Sequence, residues 1–414
     1  MPDPSSRAPV LSVRGFRALL GSSLTSALGG SITTVSVNWL VFHYTHSTID
    51  IAYVGLAGIV PGIVLGLFAG VLADRYDRRR LMITCDLVRM VGIAALATAL
   101  YLSGFSLFLV LASMTLVYTF SALFTPASQA ILPRIVSVDQ LESANGILAA
   151  LGQTGYTVGA AAGGLVIVFV GPLAGLGANA ATYLISATFL LQIARAAGPS
   201  LHAADRKPTS FRSELGEGMH YMRTHLPVLE VTLGFLPGNF LFVMVTSFFV
   251  VYSASVFGGD AAAYGYLVAG LAGGAAVGAL LVPRIRARRF AGLLLGAAVV
   301  AQGGAIGLLI VAHELGLALA GAIALGITLG LINTVYYATM QAIVPNELLA
   351  RVLSIDSVGA FVAIPAGLLV GGLLAATHGI LFAYTISALG LFANGVGLLA
   401  LPGVRSLRYA PAPS

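Results

Sequence analysis

The stretch QAILP at residues 129–133 recurs as QAIVP at residues 341–345, and each copy stands at the end of a long apolar run. At nearly the same offset, the arginine-rich segment 75–80 is matched by a second arginine-rich segment at 284–289. Sequence and charge therefore repeat together, which predicts a chain built from two similar halves.

The composition predicts an all-α protein that is dissolved in a lipid bilayer. The 414 residues are 58% hydrophobic and only 9% charged, whereas soluble domains are roughly 25% charged. Apolar runs of roughly 20 residues, the length that crosses a bilayer, follow one another along the chain. The 50 glycines would let helices approach closely where lipid supplies no hydrophobic drive. The lipid bilayer is therefore the first expected partner.

Twelve transmembrane helices are expected, and the positions of the basic residues support that number. The spans are placed at 16–43, 51–73, 81–103, 107–132, 144–170, 173–195, 228–257, 261–283, 290–312, 315–344, 352–376 and 379–402. All 21 Lys and Arg residues fall in the N-terminal segment, in every second loop with its helix ends, or in the C-terminal tail. Because cytoplasmic loops are enriched in Lys and Arg, both termini are expected to be cytoplasmic in a multi-pass inner-membrane protein. Topology thus accounts for the net charge of +6, and no nucleic-acid partner is expected.

A polar segment separates the halves and defines the expected domains. These are an N-terminal six-helix bundle at 1–195, a cytoplasmic linker at 196–226, a C-terminal six-helix bundle at 227–404 and a cytoplasmic tail at 405–414. In the linker, Phe211, Leu215, Met219 and Met222 recur at helical spacing, which fits an amphipathic helix on the membrane surface. A disordered tether is the alternative. With an even number of spans in each half, the halves have the same orientation, as parallel repeats.

The loop after the second span reads GVLADRYDRRR at residues 70–80. It resembles the loop signature of the major facilitator superfamily, which is Gly, three residues, Asp-Arg, one residue, Gly and two basic residues, and it departs from that signature at Asp77. The resemblance implies the major facilitator fold and a cytoplasmic latch that helps to hold the outward-open state, against the start of span eleven near Arg351 and Asp356. The latch residues are Gly70, Asp74, Arg75, Arg78 and Arg79. A simple positive-inside anchor is the alternative.

The fifth span carries glycines at the spacing of the signature that exporters of this superfamily have in that helix. They are Gly146, Gly155, Gly159, Gly163 and Gly164. The signature has proline where this chain has Ala160. Such glycines could allow sliding contact between the halves, and a generic small-residue packing face is the alternative. With LADRYDRRRLM at 72–82 and NAATYLISA at 179–187, the chain looks most like the branch of enterobactin-type siderophore exporters and macrolide-type drug exporters.

Ionisable residues inside a span are costly and are therefore functional candidates. Asp86 and Arg89 lie one turn apart in span three, and Asp356 lies at a similar depth in span eleven. These three residues are the candidates for coupling transport to protons, with an i, i+3 ion pair as the alternative for Asp86. Many relatives in the branch carry an acidic residue where this chain has Gly29-Gly30, so coupling at that position is lost.

The middles of the spans carry no charge, which predicts a neutral cavity between the halves for a hydrophobic or weakly polar ligand. The candidate substrate-binding residues are Asn38, Trp39, Tyr118, Gln153, Tyr156, Asn239, Asn333 and Tyr336. Each of them could instead make an interhelical hydrogen bond or a packing contact. The Pro237-Gly238 pair is expected to interrupt its helix and to free backbone groups toward the cavity.

These features predict a secondary transporter that exports a small molecule, such as a drug, siderophore or natural product, by alternating access coupled to protons. The lone lysine, Lys207, is followed by Pro208, so the chain has no nucleotide-binding loop, and it has no zinc-protease or nucleophile-elbow motif. Enzyme activity, a metal and a cofactor are therefore not expected, and the protein is expected to act as a monomer. An importer or lipid-moving carrier of the same fold, or a non-transporting receptor or scaffold, is the alternative.

Overall fold

The computed structural model describes residues 9–193, 211–259, 261–285 and 290–407. Side chains are described in the same ranges except at 66–75, 138, 142, 211–215, 346, 347, 350 and 357. The helices are α1 Arg14–Thr45, α2 Thr48–Arg75, α3 Arg78–Ser103, α4 Leu107–Ile131, α5 Leu141–Phe169, α6 Pro172–Leu191, α7 Phe211–Thr224, α8 Leu226–Thr246, α9 Phe249–Phe257, α10 Ala261–Leu281, α11 Ala291–Val311, α12 Leu315–Ile343, α13 Asn346–His378, α14 Ile380–Ala400 and α15 Pro402–Ser406. The all-α membrane architecture expected from the sequence is confirmed.

Eleven of the described helices are long and apolar enough to cross a membrane. The remaining expected span, 16–43, is present as the 32-residue helix α1, whose Ser, Thr and Asn residues lower its hydropathy. Several of its polar side chains find partners on neighbouring helices. Ser31 donates a hydrogen bond of 2.8 Å to the Tyr156 carbonyl oxygen, and Thr33 accepts one of 2.6 Å from Asn179. Helix α1 can therefore be buried among helices although its hydropathy is low.

Contacts between residues divide the chain into two compact units. The first unit contains the described residues of Met1–Tyr44 and Leu56–Ala203, and the second contains those of Thr45–Gly55 and Ala204–Ser414. The division falls inside α2, whose first turns belong to the second unit. There the Thr48 hydroxyl donates to the Gly372 carbonyl oxygen over 2.7 Å.

In the first unit, α3 packs against α4 and α6, and α5 packs against α6. Apolar side chains of α1, α3, α4 and α6 form a buried cluster that includes Phe16, Met82, Ala127 and Leu190. Helix α3 begins at an N-cap, because the Asp77 carboxylate accepts a hydrogen bond of 2.8 Å from the Arg80 backbone N–H.

In the second unit, α8 packs against α13 and α14, and α10 and α11 pack against α12. The predicted single span 228–257 is two helices, α8 and α9, that are separated at Ser247 and Phe248. The break expected at Pro237-Gly238 is wrong, since Pro237 lies inside α8. A neighbouring helix supplies a donor near the proline, because the Asn394 amide donates to the Gly234 carbonyl oxygen over 3.1 Å. Pro237 removes the N–H that would bond the Leu233 carbonyl oxygen, yet the helix continues past it.

The amphipathic segment is helical, as its spacing predicted, and forms α7. It packs mainly on α13 of the second unit. Met222 is buried, Glu217 forms an ion pair with Arg351, and the Tyr221 hydroxyl donates to the Ile343 carbonyl oxygen over 3.1 Å. Partial burial raises the pKa of Tyr221 above its ordinary value. Helix α7 is thus attached to the second unit by polar and apolar contacts.

Candidate functional site

The first buried polar cluster surrounds Asp86 in the first unit. Asp86 of α3 forms an ion pair with Arg89 one turn away, and both residues are buried. The Ser186 hydroxyl of α6 donates to the second carboxylate oxygen of Asp86 over 2.6 Å. Ser22 and Ser26 of α1 lie 2.7 Å and 3.1 Å from the Ser186 hydroxyl. The i, i+3 ion pair considered for Asp86 is therefore present, and hydroxyl groups from two other helices surround it.

The Arg89 guanidinium contacts two aromatic rings, a hydroxyl group and a backbone carbonyl oxygen in addition to Asp86. Its guanidinium lies between two aromatic rings, 4.6 Å from the centroid of Phe124 and 4.5 Å from that of Tyr183. It also donates to the Ser121 hydroxyl over 3.3 Å and to the Cys85 carbonyl oxygen over 3.3 Å. Rings on both faces add cation–π attraction to the ion pair. This arrangement ties α3 to α4 and α6 through one charged side chain.

The second polar cluster surrounds Asp356 in the second unit. The carboxyl group of Asp356 on α13 lies beside the phenol of Tyr336 on α12, and Thr232 on α8 also borders that phenol. The hydroxyl groups of Tyr336 and Thr232 are buried and complete no hydrogen bond with well-formed geometry among the described residues. The Phe235 ring meets the Tyr336 ring edge-on at 5.2 Å. Buried hydroxyl groups without a satisfied partner call for an explanation, and a ligand or a transferred proton is one.

The two intramembrane carboxylates therefore differ in charge environment. Asp86 is neutralised by Arg89, whereas no ion pair of Asp356 is found among the residues whose side chains the structure describes. The nearest arginine in sequence, Arg351, is instead paired with Glu217. A carboxylate without a cation at membrane depth is the arrangement expected of a group that exchanges protons.

The latch residues are only partly visible. Gly70, Asp74 and Arg75 lie at the end of α2, and their side chains are outside the described set. The Arg79 guanidinium donates to the carbonyl oxygens of Leu190 and Leu191 over 2.9 Å and 2.6 Å, so it caps the end of α6. Arg78 also makes an interaction.

The glycine face of α5 packs against α1 of the same unit. A Cβ atom on Gly159 would lie 2.4 Å from the Leu28 carbonyl oxygen, and one on Gly155 would lie 3.0 Å from the Leu24 carbonyl oxygen. Gly163 approaches the Ile32 backbone in the same way. Gly164 is buried, and Gly146 has open space where a side chain would be. These three glycines pack on α1 within the first unit, as the small-residue alternative expects.

Helix α5 is continuous through Ala160, where exporters of the superfamily have proline. Ala160 is completely buried. With alanine in place of the signature proline, α5 is an uninterrupted helix.

The substrate-binding candidates of the first unit have different environments. The Trp39 ring stacks on His43 with centroids 4.5 Å apart, and the Tyr118 ring packs beside Gly58. Gln153 is exposed, and Tyr156 is 42% exposed. Asn38 is partly buried and has an interaction of its own.

The candidates of the second unit are Asn239, Asn333 and Tyr336. Asn239 is half-buried and Asn333 is exposed. Tyr336 is buried and belongs to the Asp356 cluster. Of the three, only Tyr336 joins a second candidate residue in a contact that the structure describes.

Ser186 and Thr232 were missed from the sequence. Both are hydroxyl residues on apolar helices. Ser186 contacts the Asp86 carboxylate of another helix, and Thr232 borders the Tyr336 phenol of another helix. Within the described part of the chain, no group of three His, Cys, Asp or Glu side chains is placed to hold a metal ion.

The sequence matches the family described as transmembrane secretion effectors over residues 5–410. The chain belongs to this family of the major facilitator superfamily. It is 26% identical over 410 residues to the multidrug efflux pump Tap of Mycolicibacterium fortuitum, covering 95% of this chain and 97% of Tap. The expected superfamily membership is confirmed.

Solved structures of the superfamily share the fold. The nucleoside transporter NupG superposes with a TM-score of 0.73 at 14% identity, covering 94% of this chain and 98% of that chain. A bacterial homologue of the human lysosomal transporter Spinster superposes with a TM-score of 0.69 at 17% identity, covering 98% and 100%. The family match and the full-length relative, not these distant structures, make this chain a multi-pass membrane transporter of small molecules and not an enzyme.

Replacing Arg89 with Met should destabilise this transporter strongly. The change leaves Asp86 buried without its cation, which typically costs about 3–5 kcal/mol. The midpoint of thermal unfolding in detergent should fall well below that of the wild type. Arg80→Met is the matched control, because Arg80 is exposed on the same helix. Equal midpoints for the two variants would contradict a structural role for the buried pair.

Gly159→Ala should destabilise the first unit, since the new methyl group would meet the Leu28 carbonyl oxygen. Forcing a methyl group into a close-packed contact costs about 1–3 kcal/mol. Gly146→Ala should be neutral or slightly stabilising, because alanine favours a helix over glycine and the space is open. Thermal unfolding of both variants measures the difference, and a reversed order would show that α5 and α1 are not in close contact.

Proposed function

We propose that the protein exports a small hydrophobic or weakly polar molecule, such as a drug, siderophore or natural product, by proton-coupled alternating access. Export is supported by full-length similarity to a protein named as a multidrug efflux pump. A weakly polar substrate is supported by spans whose midpoints carry no charge. An importer or lipid-moving carrier would share the fold, and the name of that relative favours export over both.

The proposed topology places both termini in the cytoplasm, with bundles at 1–195 and 227–404 joined by a cytoplasmic linker at 196–226. The alternation of basic and uncharged loops supports it. The protein is proposed to act as a monomer in the inner membrane.

The coupling proposal rests on the surroundings of the Asp356 carboxyl group. Its carboxyl group borders the buried Tyr336 hydroxyl, which in turn borders the buried Thr232 hydroxyl, and has no cation bound to it among the described side chains. Asp86, in contrast, has a fixed counter-charge in Arg89. Protonation of Asp86 would discard a buried ion pair, whereas protonation of Asp356 would discard none. We therefore assign proton exchange to Asp356 and a structural role to Asp86 and Arg89.

The export proposal is tested by a susceptibility panel and then by inverted membrane vesicles. A compound whose toxicity rises when the gene is deleted is added to vesicles that contain the protein and an imposed pH gradient. We expect accumulation that collapses when the gradient is dissipated. Accumulation that persists without any gradient would reject proton coupling, and uptake into right-side-out vesicles alone would favour an importer.

In the same vesicles, Asp356→Asn should abolish gradient-driven accumulation, because an amide cannot exchange the proton. Asp356→Glu should restore part of it. Glu314→Gln is the matched control, since Glu314 is an exposed carboxylate of the same unit. Full activity of Asp356→Asn, with normal protein levels, would remove this residue from the coupling mechanism.

We also propose that Gly70, Asp74, Arg75, Arg78 and Arg79 include the cytoplasmic latch that the superfamily resemblance implies. Asp74→Asn should slow turnover in the vesicle assay while membrane insertion stays normal, because the lost carboxylate no longer favours one arrangement of the bundle. Asp77→Asn is the matched control, because asparagine preserves the N-cap of α3. An unchanged rate for Asp74→Asn would leave only the positive-inside anchor.

A further inference from the structure

A pocket of about 320 Å³ lies at one end of the first unit. It is bordered by the last turns of α1 and α3, the connection to α4 and the start of α6. Apolar residues including Leu100, Pro172 and Leu173 line one part of it. Its size is within the range of small-molecule sites, which begins at roughly 300 Å³.

The other part of the pocket is a wall of four aromatic rings. Trp39 and His43 stack with centroids 4.5 Å apart and planes 11° apart. Tyr44 and Phe105 stack with centroids 4.8 Å apart and planes 10° apart. His43 meets Tyr44 edge-on at 5.2 Å, which joins the two pairs. Flat rings arranged in this way favour a flat ligand, because a planar aromatic molecule can stack on or abut each of them.

The wall offers two hydrogen-bond donors that have no partner among the described residues. Neither the indole N–H of Trp39 nor the Tyr44 hydroxyl makes a hydrogen bond within the described part of the chain. No Asp, Glu, Lys or Arg lines the pocket. An organic cation would therefore find no counter-charge there, whereas a neutral ligand with a hydrogen-bond acceptor would complement both the rings and the donors.

We propose that this pocket is a binding site for neutral, planar aromatic molecules that carry a hydrogen-bond acceptor. It is separate from the Asp86 and Asp356 clusters. In the proposed topology it lies on the side opposite the cytoplasm, where an exported molecule leaves the protein, and this part of the inference rests on the proposed function. Binding itself does not depend on it. Aromatic residues also gather at the ends of membrane helices as interfacial anchors, and that outcome must be distinguished by the test.

Trp39 makes the test specific, because it is the only tryptophan in the sequence. Purified full-length protein in detergent is titrated with coumarin, which is neutral and planar and has a carbonyl acceptor. Saturable quenching of tryptophan fluorescence is expected. Octahydrocoumarin, which retains the carbonyl group but is saturated and not flat, should bind much more weakly.

Two variants test the ring wall. Phe105→Leu and Tyr44→Leu should each weaken coumarin binding by roughly 2- to 10-fold, the loss expected for one aromatic stacking partner. Phe108→Leu is the matched control, because Phe108 is 77% exposed and does not line the pocket. Size-exclusion chromatography confirms that each variant is folded and monodisperse before titration.

Quenching that does not saturate, or that is the same for the two ligands and for the Phe105 and Phe108 variants, would overturn the proposal and leave the rings as membrane anchors. Saturable binding by a protein that fails the vesicle assay would retain this site and reject the export function. Normal export without saturable binding would retain the export function and reject this site.

Discussion

A hydrocarbon environment does not satisfy polar groups, and the polar side chains of this protein are arranged around that constraint. Helix α1 shows it most directly, because hydroxyl groups such as those of Ser22 and Ser31 would be unfavourable in lipid but meet partners on α6 and α5. The ion pair of Asp86 and Arg89 shows the same constraint for charge. A guanidinium between two rings and a carboxylate with a serine donor are each satisfied without water. The first unit depends on this internal pairing.

Asp356 departs from that rule, and the departure is the reason to consider it for function. Groups that hold a structure together are best fully satisfied, whereas a group that changes its protonation state must tolerate both states. The buried Tyr336 hydroxyl beside Asp356, and the Thr232 hydroxyl that borders it, could each serve as donor or acceptor, so they can adjust to either form of the carboxyl group. Arg351, the nearest arginine in sequence, is paired with Glu217 of α7.

Sequence reasoning succeeded where the signal is local and strong. The expected spans 261–283 and 379–402 are close to helices Ala261–Leu281 and Ile380–Ala400, because apolar length alone determines a membrane helix. It failed at Pro237, where local chemistry predicts a break but α8 continues through the proline. It also missed Ser186, since a serine in an apolar helix is common and only the fold reveals that Asp86 lies opposite. Partners that come together across helices have no sequence spacing to mark them.

The internal repeat shows that the two halves have divided their polar chemistry unequally. Relative to QAILP and QAIVP, Tyr336 of the second half corresponds to Phe124 of the first, and Asp356 corresponds to Ala144. Phe124 packs its ring on Arg89, and Ala144 is part of the apolar core. The positions that hold a phenol and a carboxyl group in one half are therefore purely apolar in the other, where the charge lies on α3 and is paired. If the two halves had equivalent roles, such replacements would be unnecessary, so the asymmetry itself argues that the second half carries the titrating chemistry and the first half a fixed framework.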